Sequence, residues 1–416
     1  MLEVIKNALW TLPCGLLIIF SGILILIKTR FFILRHPFVI FRETLGKIFK
    51  DTNSFALMCT SLGGTIGVGN AVGVAGAIAE GGAGAVFWMG IAGIFSMAIK
   101  YAEIFLAVLF KAKETSRGPF NYLEKATGGN FVPYIYSFLC IAVSIGMGNL
   151  SQMKAGLNAA KNVIPLPQAV LAFIITVVFV IISIGGLQKI SSFSKIAVPV
   201  LSVAYIVFLL TILILEHQKI PIILKEVVSG SGMFAGIKWH LIKSGISGGF
   251  SKSVFSTEAG LGSAGFTHGE AENTPHSQAL WGVVEVFIDT LICILTAFTI
   301  LTLKDFPVFK EASFVTKAVF EISFGNFGAV FYAISMIMFA FTSVLCWYYV
   351  GRCAVKNITK NKKASSLYFL SFSAFMFISP FISDSIIIDL SDIANALMMI
   401  VNLPAVLILA KNIKSN

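Results

Sequence analysis

The 416-residue chain is 57% hydrophobic and 12% charged, with a mean hydropathy of +0.89. Soluble domains carry about a quarter charged residues, so a soluble enzyme is excluded and an integral membrane protein is expected. The formal charge of +11 would suit a nucleic-acid binder. The Lys and Arg instead stand in short segments between apolar runs, as topology signals do, and no nucleic-acid partner is expected.

A spanning helix needs roughly 20 mostly apolar residues. Eleven segments meet that template, near 8–27, 55–79, 84–110, 131–155, 168–186, 193–215, 245–265, 278–303, 328–351, 365–382 and 388–410. They run through the whole of 1–416 and leave no polar stretch long enough for a second core, so one membrane domain is predicted. Glu3 and Lys6 precede the first run, which is too long for a signal-peptide core and lacks a small-residue cleavage site, so it is expected to stay as a helix.

The loops set the orientation. On one side fall Lys28, Arg30, Arg35, Arg42, Lys47, Lys50, then Lys111, Lys113, Arg117, Lys125, then Lys189, Lys195, then Arg352, Lys356, Lys360, Lys362, Lys363, and finally Lys411 and Lys414. The other side holds Lys6, Lys154, Lys161, Lys219, Lys225, Lys238, Lys243, Lys304, Lys310 and Lys317. Nineteen against ten places the C-terminus in the cytoplasm and the N-terminus outside, in a multi-pass protein of the inner or plasma membrane surrounded by lipid. Six cysteines lie in or beside apolar runs without CxxC or Cys/His spacing and read as small core residues.

Two spans carry too much glycine for ordinary helices. The second holds Gly63, Gly64, Gly67, Gly69 and Gly73; the seventh holds Gly245, Gly248, Gly249, Gly260 and Gly262. Close packing of small residues is one explanation; a break in the helix is the other. Internal similarity favours the break: Gly67-Val68-Gly69-Asn70 and Gly260-Leu261-Gly262-Ser263 share a GxGx pattern 193 residues apart. The same offset pairs Asn149 with Thr342. Equivalent helices are then five apart, so the two halves, 52–216 and 233–411, run oppositely through the bilayer as an inverted repeat, with 1–30 as an extra N-terminal helix. Unwinding a mid-bilayer turn frees N–H and C=O groups that hydrocarbon cannot satisfy. The N–H side suits a carboxylate and the C=O side a cation.

Ionisable residues inside spans cost at least about 2.5 to 3.5 kcal/mol each near the centre. Lys252 and Glu258, six apart, cannot pair on an unbroken helix, and Glu258 and Asp289 are each expected to serve as a gating or structural charge. Lys100 and Glu103, at i and i+3, are expected to neutralise each other. Trp347 suits either a cap on the pocket or a packing position, and His268 and His276 read as solvated loop residues. Neither a Walker A sequence nor an HExxH spacing occurs. No nucleophile–base pairing stands out, so no enzyme activity is expected.

The segments Thr60-Ser61-Leu62-Gly63-Gly64-Thr65-Ile66-Gly67-Val68-Gly69-Asn70, Ala79-Glu80-Gly81-Gly82-Ala83-Gly84-Ala85-Val86-Phe87-Trp88 and Phe255-Ser256-Thr257-Glu258-Ala259-Gly260-Leu261-Gly262-Ser263-Ala264 resemble the alanine or glycine:cation symporter family. So do Gly148-Asn149-Leu150-Ser151-Gln152, Phe287-Ile288-Asp289-Thr290 and Phe339-Ala340-Phe341-Thr342-Ser343, in order along nearly the whole chain. This is the sodium:alanine symporter type within the amino acid–polyamine–organocation superfamily. The resemblance implies an all-α integral membrane protein of eleven transmembrane helices, with a LeuT-like five-plus-five inverted repeat, one extra N-terminal helix and two broken helices. It implies that Gly67, Val68, Gly69 and Asn70 receive a substrate carboxylate, with Gln152, Phe255 and Ser256 facing the pocket. Sodium would be held by carbonyls near Gly63 and Ile66 and by the hydroxyls of Thr342 and Ser343. Hard oxygen ligands of that kind suit the ion. Thr257 stands where the family has asparagine. The function implied is import of alanine or glycine by Na⁺ symport through alternating access, with Na⁺ as coupling ion and no other cofactor; the alternative is proton coupling, with Glu258 or Asp289 as carrier.

Overall fold

A chain this apolar has no water to satisfy its peptide groups, so helices are the available solution. The computed structural model describes residues 5, 8–111, 118–232, 245–303, 312–382 and 384–414, and every regular element among them is helical. Glu3 and, of the topology signals, Lys6, Lys113, Arg117, Lys238, Lys243, Lys304 and Lys310 lie outside the described residues.

After a π-helical turn at Trp10–Cys14 comes α1 (Gly15–Lys28). The first glycine-rich span is α2 (Thr52–Thr65) and α3 (Val72–Gly81). Next come α4 (Gly84–Leu109), the short α5 (Pro119–Thr127), α6 (Phe131–Ile145) and α7 (Gln152–Ala160), the last two joined by a π-helical stretch, Gly146–Ser151. α8 (Gln168–Ser183), α9 (Gly186–Leu215) and α10 (Ile220–Gly230) lead to the second glycine-rich span, α11 (Ser251–Thr257) and α12 (Ala264–His268). The remainder is α13 (Pro275–Leu301), α14 (Ala312–Ile358), α15 (Lys362–Ile378) and α16 (Asp384–Ile408). α14 is two helices joined at Gly325, whose φ of 60° no helix interior contains.

Local chemistry sets several of these boundaries. Asp51 caps α2 by accepting the Ser54 N–H at 3.1 Å, and Thr274 caps α13, which begins on Pro275. Along α9 the exposed residues Ile196, Val200, Val203, Val207 and Ile214 recur every three, four or seven positions, a stripe turned away from the protein. Among the described residues seven helical stretches are long and apolar enough to cross a membrane, and α2 with 68–81 makes an eighth, bent by 60°. α1 and α8 are shorter apolar helices. The apolar run at 245–265 forms no continuous helix, because it breaks after Thr257.

Candidate functional site

α2 winds regularly to Thr65 and then stops. Ile66 (ψ 88°) and the extended Gly67 (φ −121°, ψ −159°) interrupt the helix before a single 3₁₀ turn, Val68–Asn70. Gly67 N–H turns to Thr65 O (2.8 Å) and to Asn70 Oδ1 (3.2 Å). Val68 N–H reaches Gln152 Oε1 on α7 at 3.1 Å. Any residue tolerates the Gly67 backbone angles; what glycine supplies here is space, since a Cβ would lie 2.7 Å from Gln152 Oε1. Gln152 and the first break are therefore in direct contact, with Gly69 beside them facing open space.

The same Asn70 side chain reaches α13 through its other end. Its Nδ2 donates to Asp289 Oδ1 at 2.8 Å, and Ser256, on the second broken helix, donates to Asp289 Oδ2 at 3.1 Å. Asp289 is fully buried on α13 and forms no ion pair among the described residues. It joins the two broken spans through neutral donors. Phe255 is half-buried, its ring edge-on to Trp10 at 6.2 Å, so the N-terminal segment covers it.

At the C-terminal end of α2, Ser343 Oγ donates to Gly64 O at 3.0 Å, and Gly63 lies against Thr342, where a Cβ would come within 3.1 Å of the Thr342 Cβ. Thr342 itself turns back on Phe339 O at 3.0 Å, as membrane hydroxyls commonly do. Ile66 is wholly buried at the break. The structure thus brings Gly63, Gly64, Thr342 and Ser343 together.

The second break is built differently. Glu258 follows α11 with a left-handed φ of 53°, and Gly260 (φ 92°) and Gly262 (φ 81°) continue the turn. Glu258 holds its place by accepting from Trp347 Nε1 at 2.8 Å and Ser263 Oγ at 2.7 Å. Trp347 is therefore a buried partner of the turn. Lys252 is elsewhere, 4.0 Å from a part-exposed Glu80. Gly260 O accepts from Asn402, Leu261 O from Tyr136, and Gly262 N–H donates to Glu103 Oε1 at 3.0 Å.

Two expectations need correction. Lys100 and Glu103 do not neutralise each other: Lys100 pairs with Glu285 at 3.1 Å, while Glu103 faces Gly262 and Asn402. All four side chains are buried in the span interior, where partners on other helices outcompete a neighbour on the same one. His268 is not solvated. It is fully buried, its Nε2 3.1 Å from Glu285 and its Nδ1 2.7 Å from Gln278 Nε2. His276 is also engaged, at 2.7 Å from Tyr101 Oη. Asn149 donates to Phe372 O at 2.8 Å and acts as glue between helices.

Sequence reasoning missed Glu285, which gathers Lys100, His268 and Ser61 (3.0 Å) around one carboxylate. The rule that singled out Asp289, an acid inside a span, applies to it equally.

A many-helix membrane chain, interrupted twice mid-span and closed by polar groups from neighbouring helices, has the architecture of a transporter. The chain belongs to the sodium:alanine symporter family, whose model matches residues 1–416, and is a multi-pass membrane protein. It is 30% identical to an uncharacterized transporter of Haemophilus influenzae over 99% of this chain and 93% of that one. It is also 30% identical to the sodium/alanine symporter AgcS of Methanococcus maripaludis, over 86% and 82%. Among solved structures, an Eremococcus coleocola manganese transporter variant superposes with a TM-score of 0.54 at 11% identity, covering 84% of this chain and 75% of that one. That likeness bears on the fold alone.

Proposed function

We propose that this protein imports alanine or glycine by symport with Na⁺, by alternating access in a LeuT-like five-plus-five framework with eleven spans. The observation that carries the reading is the first break: the Val68 N–H is held by a side-chain amide of α7 and the Gly67 N–H in part by Asn70, outside any continuous helix. Gln152 Oε1 sits where a substrate carboxylate oxygen would accept the Val68 N–H, so substrate entry displaces an oxygen already chosen for that position. Gly67, Val68, Gly69 and Asn70 then form the carboxylate seat. Gln152 rotates to donate its amide hydrogens, and Phe255 and Ser256 bound the pocket from the second broken helix.

Sodium is assigned to carbonyls near Gly63 and Ile66 with the hydroxyls of Thr342 and Ser343. The Ser343 Oγ contact to Gly64 O puts hydroxyl and carbonyl oxygens at one place, and such hard oxygens are what the ion takes. One positive charge moving down 100 mV supplies about 2.3 kcal/mol, or roughly fortyfold accumulation. The N-terminus is outside and the C-terminus cytoplasmic, on the charge count above. Residues 52–216 and 233–411 act as the two inverted halves, with 1–30 outside them.

The second reading, proton coupling, draws on Glu258 and Asp289, both buried and without an ion pair among the described residues. Uptake of labelled alanine and glycine into proteoliposomes separates the two. Sodium symport predicts uptake driven by an imposed Na⁺ gradient and lost when choline replaces Na⁺; uptake that follows an H⁺ gradient in choline would overturn it.

A further inference from the structure

We propose that Glu103 is the latch that holds the α12 end of the second broken helix shut against α5, α6 and α16. The inference rests on the alternating-access reading, and it makes Glu103 a positioning residue rather than a ligand.

Two groups of helices meet there. On one side stand Glu103 of α4 and the turn Gly260–Gly262; on the other stand Asn402 of α16, Tyr122 of α5 and Tyr136 of α6. Glu103 Oε1 accepts from Gly262 N–H at 3.0 Å and from Asn402 Nδ2 at 2.6 Å. Asn402 Nδ2 also donates to Gly260 O at 2.9 Å, Tyr122 Oη donates to Asn402 Oδ1 at 2.5 Å, and Tyr136 Oη donates to Leu261 O. Elsewhere α4 and α16 barely touch, whereas α4 packs along most of α13 and α14 along α6 and α7. The junction has a polar centre bordered by apolar contacts: Phe266 of α12 meets the Phe120 ring of α5 at 5.1 Å, and Met399 and Leu403 of α16 lie against Gly260.

That composition suits a contact that must open. The apolar border loses its stabilisation when water enters, but each polar group at the centre exchanges a protein partner for a water molecule. Glu103 Oε2 is buried and makes no hydrogen bond among the described residues, so the closed form leaves one carboxylate oxygen unsatisfied that opening would hydrate.

Cys140 is a built-in reporter, fully buried one turn along α6 from Tyr136. The test uses the full chain with its other five cysteines replaced by alanine. Labelling of Cys140 by a membrane-impermeant thiol reagent is timed without substrate or sodium. Glu103→Ala and Asn402→Ala each speed labelling roughly tenfold, because each removes the hydrogen bond that ties α4 to α16. The double variant adds less than about twofold more, because the two side chains share one network. Glu103→Gln keeps an acceptor oxygen toward Gly262 and Asn402 and stays within about threefold of the parent. In uptake assays the alanine variants lower the maximal rate and leave KM within about twofold. Parental labelling rates in folded Glu103→Ala and Asn402→Ala overturn the latch, as does Glu103→Gln labelling as fast as Glu103→Ala. If Glu103→Ala fails to fold, Asn402→Ala decides alone. Because labelling is read without alanine or sodium, failure of the coupling assignment leaves this result standing, and intact sodium-driven uptake with unchanged labelling sinks the latch alone.

Discussion

The two breaks carry the same GxGx sequence and use it differently. At the first, Gly67 is extended and is small because Gln152 lies against it. At the second, Gly260 and Gly262 are left-handed, a backbone state that side chains resist by roughly 1 to 2 kcal/mol. One break has its N–H groups on amides that can rotate away; the other has its peptide groups taken by a carboxylate, an asparagine and a tyrosine drawn from three helices. The lesson is that an unwound stretch in a membrane becomes a receiving site or an interhelical junction according to what neighbouring helices offer it. In the proposed reading the first break receives substrate and the second joins helix groups that part during transport.

Glu285 ties the two together, through Ser61 on the first broken span and His268 on the second, with Lys100 as its counter-charge. The largest expected effect follows: Lys100→Met leaves a buried carboxylate without its lysine and costs about 3 to 5 kcal/mol, read as a fall in the thermal unfolding midpoint in detergent. Lys100→Met combined with Glu285→Leu recovers much of that loss; a double variant as unstable as the sum of both singles would uncouple the breaks. Next is Gly262→Ala, where a Cβ would stand 2.6 Å from Tyr136 Oη and 2.9 Å from Asn402 Oδ1 on a positive-φ backbone. Overpacking and backbone strain together cost about 2 to 4 kcal/mol, checked by the same unfolding measurement.

Gly67→Ala probes the first break in the same way. It keeps allowed backbone angles and pushes against a single rotatable amide, so stability changes by less than about 1 kcal/mol while the KM for alanine rises roughly tenfold or more. A stability loss as large as that of Gly262→Ala would make the first break a structural turn as well. The smallest effect belongs to Gly69→Ala, whose Cβ meets nothing within 4 Å. It should stay within about 0.5 kcal/mol of the parent in stability.

Much of this was legible in the sequence, for a physical reason. Hydrophobic runs and glycine clusters are local signals; they cover the seven long apolar stretches found among the described residues and both interruptions, out of eleven segments expected. Asn70 and Gln152 stood out because amides are rare in apolar helices, and both lie at the first break. The partners of buried charges were not legible. Lys100 and Glu285 are 185 residues apart and meet only because α4 packs along α13. His268 looked like a loop residue because its neighbours in sequence are polar, yet its neighbours in space are Glu285 and Gln278. The GxGx similarity pointed to two breaks but could not say that their glycines differ in backbone geometry, which Asn402, Glu103 and Tyr136 determine from distant helices.

Hydrogen–deuterium exchange with and without alanine plus Na⁺ tests the division of labour most directly. Ligand is expected to slow exchange across 66–70, where it replaces rotatable side-chain acceptors, far more than across 258–263, which it does not touch. Protection confined to 258–263, with 66–70 unaffected, would contradict that division.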